Sequence, residues 1–336
     1  MSGRFTIVPG RPECAGAAAS QADMRGLAVP DFIIGGAPKC GTTTLHYVLD
    51  QHPEIGLPRG EIFFFDADDP VTHPDFFRVA GNRLEWQDAR TGNAFAWYLA
   101  QFAALAGKRH IGEDTTTYLM SEVAPRRIRN LLPNARLIFM LRHPVRRAYS
   151  QYWHHVNSGR IAVPLERAIT NHPSIILGST YVSGLRRFLD HFPREQLKVV
   201  FFEDMVRDMK TTVDDVTQFL GAAPMTVDGA DTWHNRTYYS ALPALQRAFN
   251  IVGRQLVRSR YSDHLQPSGK MQRRFSRRIT HFYMQAVRRL LPESDSSPPM
   301  RQETREFLAE HLAARNEGLS KLLGRSVSTV WPDMPI

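Results

Sequence analysis

The nineteen residues from Asp31 to Leu49, DFIIGGAPKCGTTTLHYVL, constrain this 336-residue chain more than any other stretch. Phe32, Ile33 and Ile34 form a short apolar run of the kind that makes a buried strand. Gly35, Gly36, Pro38 and Gly41 follow at once, which predicts a tight loop. From Thr42 the spacing turns helical, with Leu45, Val48 and Leu49 on one face. A strand that feeds a glycine loop and then a helix start aims several backbone N–H groups at one anion, with the helix dipole behind them.

The frame is close to the nucleotide P-loop, G-x-x-x-x-G-K-[ST], whose lysine reaches the β/γ phosphates beside a metal. Gly36 and Gly41 keep that frame and Thr43 supplies its hydroxyl, but Thr42 stands where the lysine belongs, and Lys39 lies inside the loop. A lysine placed early, followed by three hydroxyls, suits a nucleotide with a single 5′ phosphate and a different leaving bond. Here the sequence resembles the sulfotransferases that use 3′-phosphoadenylyl sulfate (PAPS), whose 5′-phosphosulfate loop reads P-K-x-G-T-T, as Pro38 to Thr43 do. The likeness is to the bacterial type, similar to the heparan sulfate and Nod-factor branch. It implies that Cys40, Gly41, Thr42, Thr43 and Thr44 hold the 5′ phosphate, with Lys39 neutralising charge on the bridging oxygen as the S–O bond breaks.

A second block, ARLIFMLRHPVRRAYSQYWHH (Ala135 to His155), reads as a buried strand, Leu137 to Leu141, with Arg142 at its carboxyl end and Pro144 opening a helix. Carboxyl ends of parallel strands are where α/β folds bind ligands. An arginine fork and the hydroxyl of Ser150 converging there make a second phosphate site. Arg-x-Pro followed by this serine resembles the family's 3′-phosphate motif, the feature that separates PAPS from ATP. Arg146 and Arg147 read as surface charges, one of them within reach of the nucleotide.

RGEIFFFD (Arg59 to Asp66) sets one carboxylate beside three phenylalanines. A carboxylate against an apolar wall gains proton affinity, which suits removing a proton from a hydroxyl. In the family a glutamate followed by two residues and Phe-Phe is the general base, and Glu61 fits; Gly60 stands where relatives often carry lysine. Other spans that resemble the family are the Trp97-Tyr98 pair, near the acceptor pocket in relatives, and GEDTTTYL (Gly112 to Leu119). In the latter, Asp114 replaces the usual lysine and Thr116 the proline, which counts against a heparan-type acceptor. Tyr181 resembles a tyrosine near the adenine, and Asn235-Arg236 belong to a late loop that closes over the nucleotide in relatives. A closing segment, Asn316 to Trp331, resembles the family's terminal helix.

The opposing reading is a P-loop kinase or NTPase. Its best support is the strand from Val199 to Phe202 ending in Glu203-Asp204, a Walker B shape; the missing loop lysine weighs against it. A third reading is a catalytically silent, basic membrane-binding protein on the same fold.

Charge is concentrated. Leu245 to Leu290 holds eleven Lys/Arg and one acid, a balance of +10, while the whole chain carries +9. Leu245, Phe249, Val252 and Leu256 recur at helical spacing, as do Met271, Phe275, Ile279 and Phe282, so two basic amphipathic helices are predicted. The ordinary expectation is that these apolar stripes pack on the core; the alternatives are guidance of an acidic acceptor or contact with an anionic membrane. No base-stacking or groove-reading motif accompanies the charge, so nucleic acid is not expected as a partner. Two cysteines, Cys14 and Cys40, offer neither a disulfide framework nor a metal cluster. Residues 1–30 lack the apolar core of a signal peptide and no stretch reaches membrane-spanning length, so a frayed leader over 1–28 and a cytoplasmic protein are expected.

The expected fold is three-layer α/β, with a central parallel sheet flanked by helices and related to the P-loop kinases, formed by one sulfotransferase domain over 29–336 with a basic helical insertion at about 245–290. The expected reaction is sulfuryl transfer from PAPS, with no metal, to a hydroxyl in preference to an amine. Sugar, lipid headgroup, sterol-like and peptide natural-product acceptors all remain open.

Overall fold

The computed structural model describes residues 6–7, 27–81, 83–85, 94–226, 239–262, 270–294, 296–334 and 336. Its centre is a five-stranded sheet: β1 (Phe32–Gly36), β2 (Ile55–Gly56), β3 (His110–Asp114), β4 (Arg136–Leu141) and β5 (Leu197–Phe201). The spatial order is β2-β3-β1-β4-β5, and every pairing is parallel. Strands of such a sheet are covered on both faces and read as unbroken apolar runs. Phe32, Ile33 and Ile34 in β1 and Leu137 to Leu141 in β4 are accordingly fully buried. Ile33 sits opposite Glu113 on one side and Leu137 on the other.

Helices α1 (Thr42–Asp50), α2 (Pro144–Asn157) and α3 (Tyr181–Leu189) lie between the strands in sequence; α4 (Pro243–Ser262), α5 (Lys270–Leu290) and α6 (Gln302–Arg315) follow them. The expected P-loop-like α/β architecture is the observed one. Trp331, after α6, packs edge-on against Phe201 at the end of β5, with ring centroids 5.1 Å apart. The closing segment thereby seals the sheet's last strand.

The chain runs from β1 to β2 and β3 on one side, then returns to β4 on the other. This reversal opens a crevice beyond the carboxyl ends of β1 and β4, the place where such folds take ligands. The Lys39 loop leaves β1 there and Arg142 leaves β4. Two contacts tie the exits together: the Ala37 N–H donates to Met140 O at 2.8 Å, and Arg142 Nη1 donates to Lys39 O at 3.2 Å.

Three sequence expectations change. Arg147 is not a surface charge. It is fully buried, with Nε on Ser179 Oγ (2.7 Å) and Nη2 on the carbonyls of Ser174 (2.9 Å) and Ile175 (2.7 Å). Tyr98 is buried and donates to Glu113 Oε2 at 2.5 Å, making it a core residue. The stripe of Leu245, Val252 and Leu256 does not pack on the core; these side chains are exposed, as are Ile279 and Phe282. The side chains of Met271 and Phe275 lie outside the described residues, as do Cys14, Asn235 and Arg236.

Candidate functional site

One cavity of about 2010 Å³ occupies the crevice. That exceeds the roughly 300–1,000 Å³ that holds a drug-sized ligand, so it has room for two such molecules together. Lys39, Gly41, Thr42, Thr43, Thr44, Glu61, Arg142 and Ser150 all line it. Residues 111 positions apart in sequence, from Lys39 to Ser150, thus share one wall system because β1 and β4 are neighbours.

The loop is built for close approach. Gly36 has φ +134°, and a Cβ there would lie 2.4 Å from Thr116 O. Gly41, at φ +88°, caps α1; a Cβ on it would press against Met205 and Phe202, each 2.8 Å away. The N-cap of α1 is a glycine and so brings no capping side chain, and the first turn places Thr42, Thr43 and Thr44 on the cavity wall. Lys39 itself holds φ +68°, a conformation that costs a non-glycine residue about 1 kcal/mol. The strain is held at the point where the lysine enters the cavity. Burial, and then Arg142, lowers the Lys39 ammonium to about 8. Cys40 points away from the cavity, its Sγ 3.8 Å from Pro38 O, and burial pushes its thiol up to about 12. The Cys40 thiol is therefore not placed as a nucleophile for the cavity.

Arg142 is held over the Phe202 ring with its guanidinium carbon 4.6 Å from the centroid, and its Nε is buried with no hydrogen-bond partner. A buried guanidinium N–H left open is a waiting donor. Ser150 stands two turns along α2, and Gln151, His154 and His155 share that face and line the cavity with it. Their i, i+1, i+4, i+5 spacing was readable from QYWHH and was missed. Tyr181 does not line the cavity: it is fully buried, and its hydroxyl donates to Arg142 O at 2.6 Å while accepting from Arg142 N–H at 3.4 Å. Its contact is with the arginine's backbone.

Glu61 is reached from the cavity. Thr116 donates to its Oε1 twice, from the backbone N–H at 2.9 Å and the hydroxyl at 2.6 Å. Its side chain is exposed to the cavity; partial desolvation by the cavity walls, and then the charge of Asp114, raise its pKa, and the Thr116 bonds oppose this. Asp114 also lines the cavity, with His46 Nδ1 3.4 Å from its Oδ2. His110, by contrast, pairs with Asp31 at 2.7 Å and does not line the cavity.

The segment that carries Glu61 is held from behind. The N–H groups of Ile62 and Phe63 donate to Thr115 Oγ1 (3.2 and 3.4 Å), and those of Phe64 and Phe65 to Tyr118 OH (3.1 and 3.4 Å). Both hydroxyls in turn donate to buried Glu113, at 2.7 and 2.5 Å. Burial pushes that carboxyl up to about 7.

Glu203 and Asp204, the Walker B candidates, do not line the cavity. Glu203 Oε1 accepts the His143 N–H at 2.9 Å, and Asp204 pairs with Arg207 and Arg325. Their work is to fasten the end of β5 to its surroundings.

Residues 30–226 match the sulfotransferase family over more than half of the chain. The chain belongs to the sulfotransferase family. A sulfotransferase structure from Alicyclobacillus acidocaldarius is 30% identical, covers 72% of this chain and 98% of its own, and superposes with a TM-score of 0.50. The human bifunctional heparan sulfate N-deacetylase/N-sulfotransferase 2 is 27% identical over 58% of this chain, and the match spans 22% of that relative. The membrane-associated sulfotransferase kil1 of Dictyostelium discoideum is 29% identical over 51% of this chain and 33% of its own length. The match thus spans a third or less of the length of these curated relatives. The comparisons favour sulfuryl transfer over the phosphotransferase alternative.

Proposed function

We propose that this protein transfers a sulfuryl group from PAPS to an acceptor hydroxyl. The observation that carries the proposal is the meeting of two anion-binding corners and one carboxylate in a single cavity. One corner is the start of α1, Gly41 to Thr44, with Lys39; the other is Arg142 with Ser150. The residues fit an adenosine carrying a phosphate at each end: the glycines leave no Cβ in the loop, and Arg142 keeps an open buried N–H.

The bound donor supplies the sulfuryl group and its phosphate leaving group. The Cys40–Thr44 backbone and the threonine hydroxyls hold the 5′ phosphate by charge-assisted hydrogen bonds. Arg142 and Ser150 hold the 3′ phosphate and so set the register of the nucleotide. Glu61, with raised proton affinity, accepts the acceptor's proton; Lys39 places positive charge where negative charge develops on the leaving oxygen. Positioning and electrostatics supply most of the rate, and the chemistry asks for no metal.

The acceptor side carries Glu61 and Asp114 within electrostatic reach of one another. Two carboxylates beside the reacting position disfavour an anionic group there and suit a neutral hydroxyl, although Arg59 lines the cavity beside them. We therefore place the acceptor among neutral sugars, lipid headgroups and natural products before heparan-type glycans. The test is incubation with PAPS and an extract of the host, with mass spectrometry for added SO₃. Sulfated products should form with the native protein and be absent with Glu61→Gln; no sulfated product with either would refute the proposal.

A further inference from the structure

Helix α4 is amphipathic in the inverted sense, and α5 leaves its largest described apolar side chains outside. On α4 the described buried residues are polar or small, Gln246, Asn250 and Gly253 at i, i+4, i+7; on α5 they are Thr280 and Val287. Asn250 Nδ2 donates to the carbonyls of Val156 and Ile161, both at 2.8 Å, and Gln246 Nε2 donates to Asn157 Oδ1 at 3.0 Å. These bonds staple α4 to the end of α2. Thr280 Oγ1 donates to Leu256 O at 3.2 Å and the Tyr283 hydroxyl to Phe249 O, locking the two helices together. A Cβ on Gly253 would lie 2.2 Å from the Tyr283 ring.

The outward side is the apolar one. Ile251 is 67% exposed, Val252 77%, Phe282 73% and Leu290 66%, with Leu245 and Leu256 beside them. Arg278, Arg288 and Arg289 are exposed on the same helix pair, within a segment whose charge balance is +10. A soluble surface rarely groups large aliphatic side chains in this way without a partner. The inward packing is held by these polar contacts together with Val287, and the large aliphatic side chains take no part in it.

We propose that the outer face of α4 and α5 is a membrane-docking surface that lies in the headgroup region of an anionic bilayer. Apolar side chains flanked by arginines are what such an interface selects: the first enter the acyl boundary and the second meet anionic headgroups. A second copy of this chain is disfavoured, because it would set one +10 segment against another. A nucleic acid offers phosphate to the arginines but nothing to Ile251, Val252 or Phe282. Among the described residues no helix is long and apolar enough to cross a membrane, so the pair lies on the surface. Arg278 and His281 also line the cavity, which puts its mouth at the bilayer. The docking itself does not depend on which reaction the cavity performs.

The test is co-sedimentation of the full chain with vesicles of phosphatidylglycerol and phosphatidylcholine, and of phosphatidylcholine alone. Binding should be strong to the first, weak to the second, and reduced by salt. The double variant Val252→Asp/Phe282→Asp should lower partitioning at least about tenfold, while Phe307→Ser, at an exposed phenylalanine on α6, should leave it unchanged. Thermal unfolding of each variant, matching the native protein's, excludes a folding defect. Failure to sediment with anionic vesicles would overturn the proposal. So would undiminished binding by the double variant, or a dimer or RNA complex that the same variant abolishes.

Discussion

Lys39 provides a prediction that needs no knowledge of the acceptor. Its ammonium is lowered to about 8 by burial and by Arg142, so in the free protein it is about nine-tenths protonated at pH 7 and about one-tenth at pH 9. Adenosine 3′,5′-bisphosphate should bind the protonated form. Ligand binding then raises the lysine's pKa, so affinity is full below pH 8 and falls as pH rises through that value. The slope should approach about tenfold in Kd per pH unit, levelling off when the charge-assisted bond is wholly lost, about 1.5–3 kcal/mol or roughly ten- to a hundredfold. Isothermal titration from pH 6.5 to 10 reads this directly. Lys39→Arg keeps its charge throughout and should remove the limb; Lys39→Ala should bind weakly and flatly. The Cys40 thiol cannot produce the limb, since burial holds it near 12. A native profile flat from pH 7 to 10, or an unchanged limb in Lys39→Ala, would refute the placement of Lys39 at the 5′ phosphate.

Other outcomes follow from the same geometry. Glu61→Gln keeps the shape of the side chain but cannot take a proton, so turnover should fall by about two or more orders of magnitude. Its nucleotide affinity should be nearly unaltered; surviving turnover would move the base elsewhere, to one of the histidines that line the cavity, such as His46. Arg142→Ala should weaken adenosine 3′,5′-bisphosphate about ten- to a hundredfold, and undiminished binding in a fluorescence titration would show the 3′ site misplaced. Gly178→Ala would put a Cβ 1.9 Å from Arg147 Nη1, displacing a buried charge from the Ser174 and Ile175 carbonyls. A loss of about 3 kcal/mol should appear as a lower Tm; an unchanged Tm would contradict the packing described.

The sheet, and the meeting of the Lys39 loop with Arg142 at the ends of β1 and β4, were legible because their signals are local. A run such as Phe32–Ile34 ending in glycines, or Leu137–Leu141 ending in Arg142 and Pro144, carries strand, stop and helix start within a dozen residues. What the sequence concealed depends on residues far apart. Nothing near Arg147 announces that the Ser174 and Ile175 carbonyls will receive it, and its neighbour Arg146 is indeed exposed. Glu113 reads like any strand residue until Tyr98, Thr115 and Tyr118 are folded around it. The basic helices show the limit most clearly. Their periodicity established two amphipathic helices, but period alone does not say which face turns inward. Asn250 and Gln246 decided that by finding partners on α2 and in the loop after it.

The central claim is that this cavity is shaped for an adenosine with a phosphate at both ends and not for a nucleotide with a polyphosphate chain. Competing adenosine 3′,5′-bisphosphate against ADP, with and without Mg²⁺, tests it most directly. The account predicts tighter binding of the bisphosphate by at least about tenfold, independent of Mg²⁺. Tighter binding of ADP, strengthened by Mg²⁺, would contradict it.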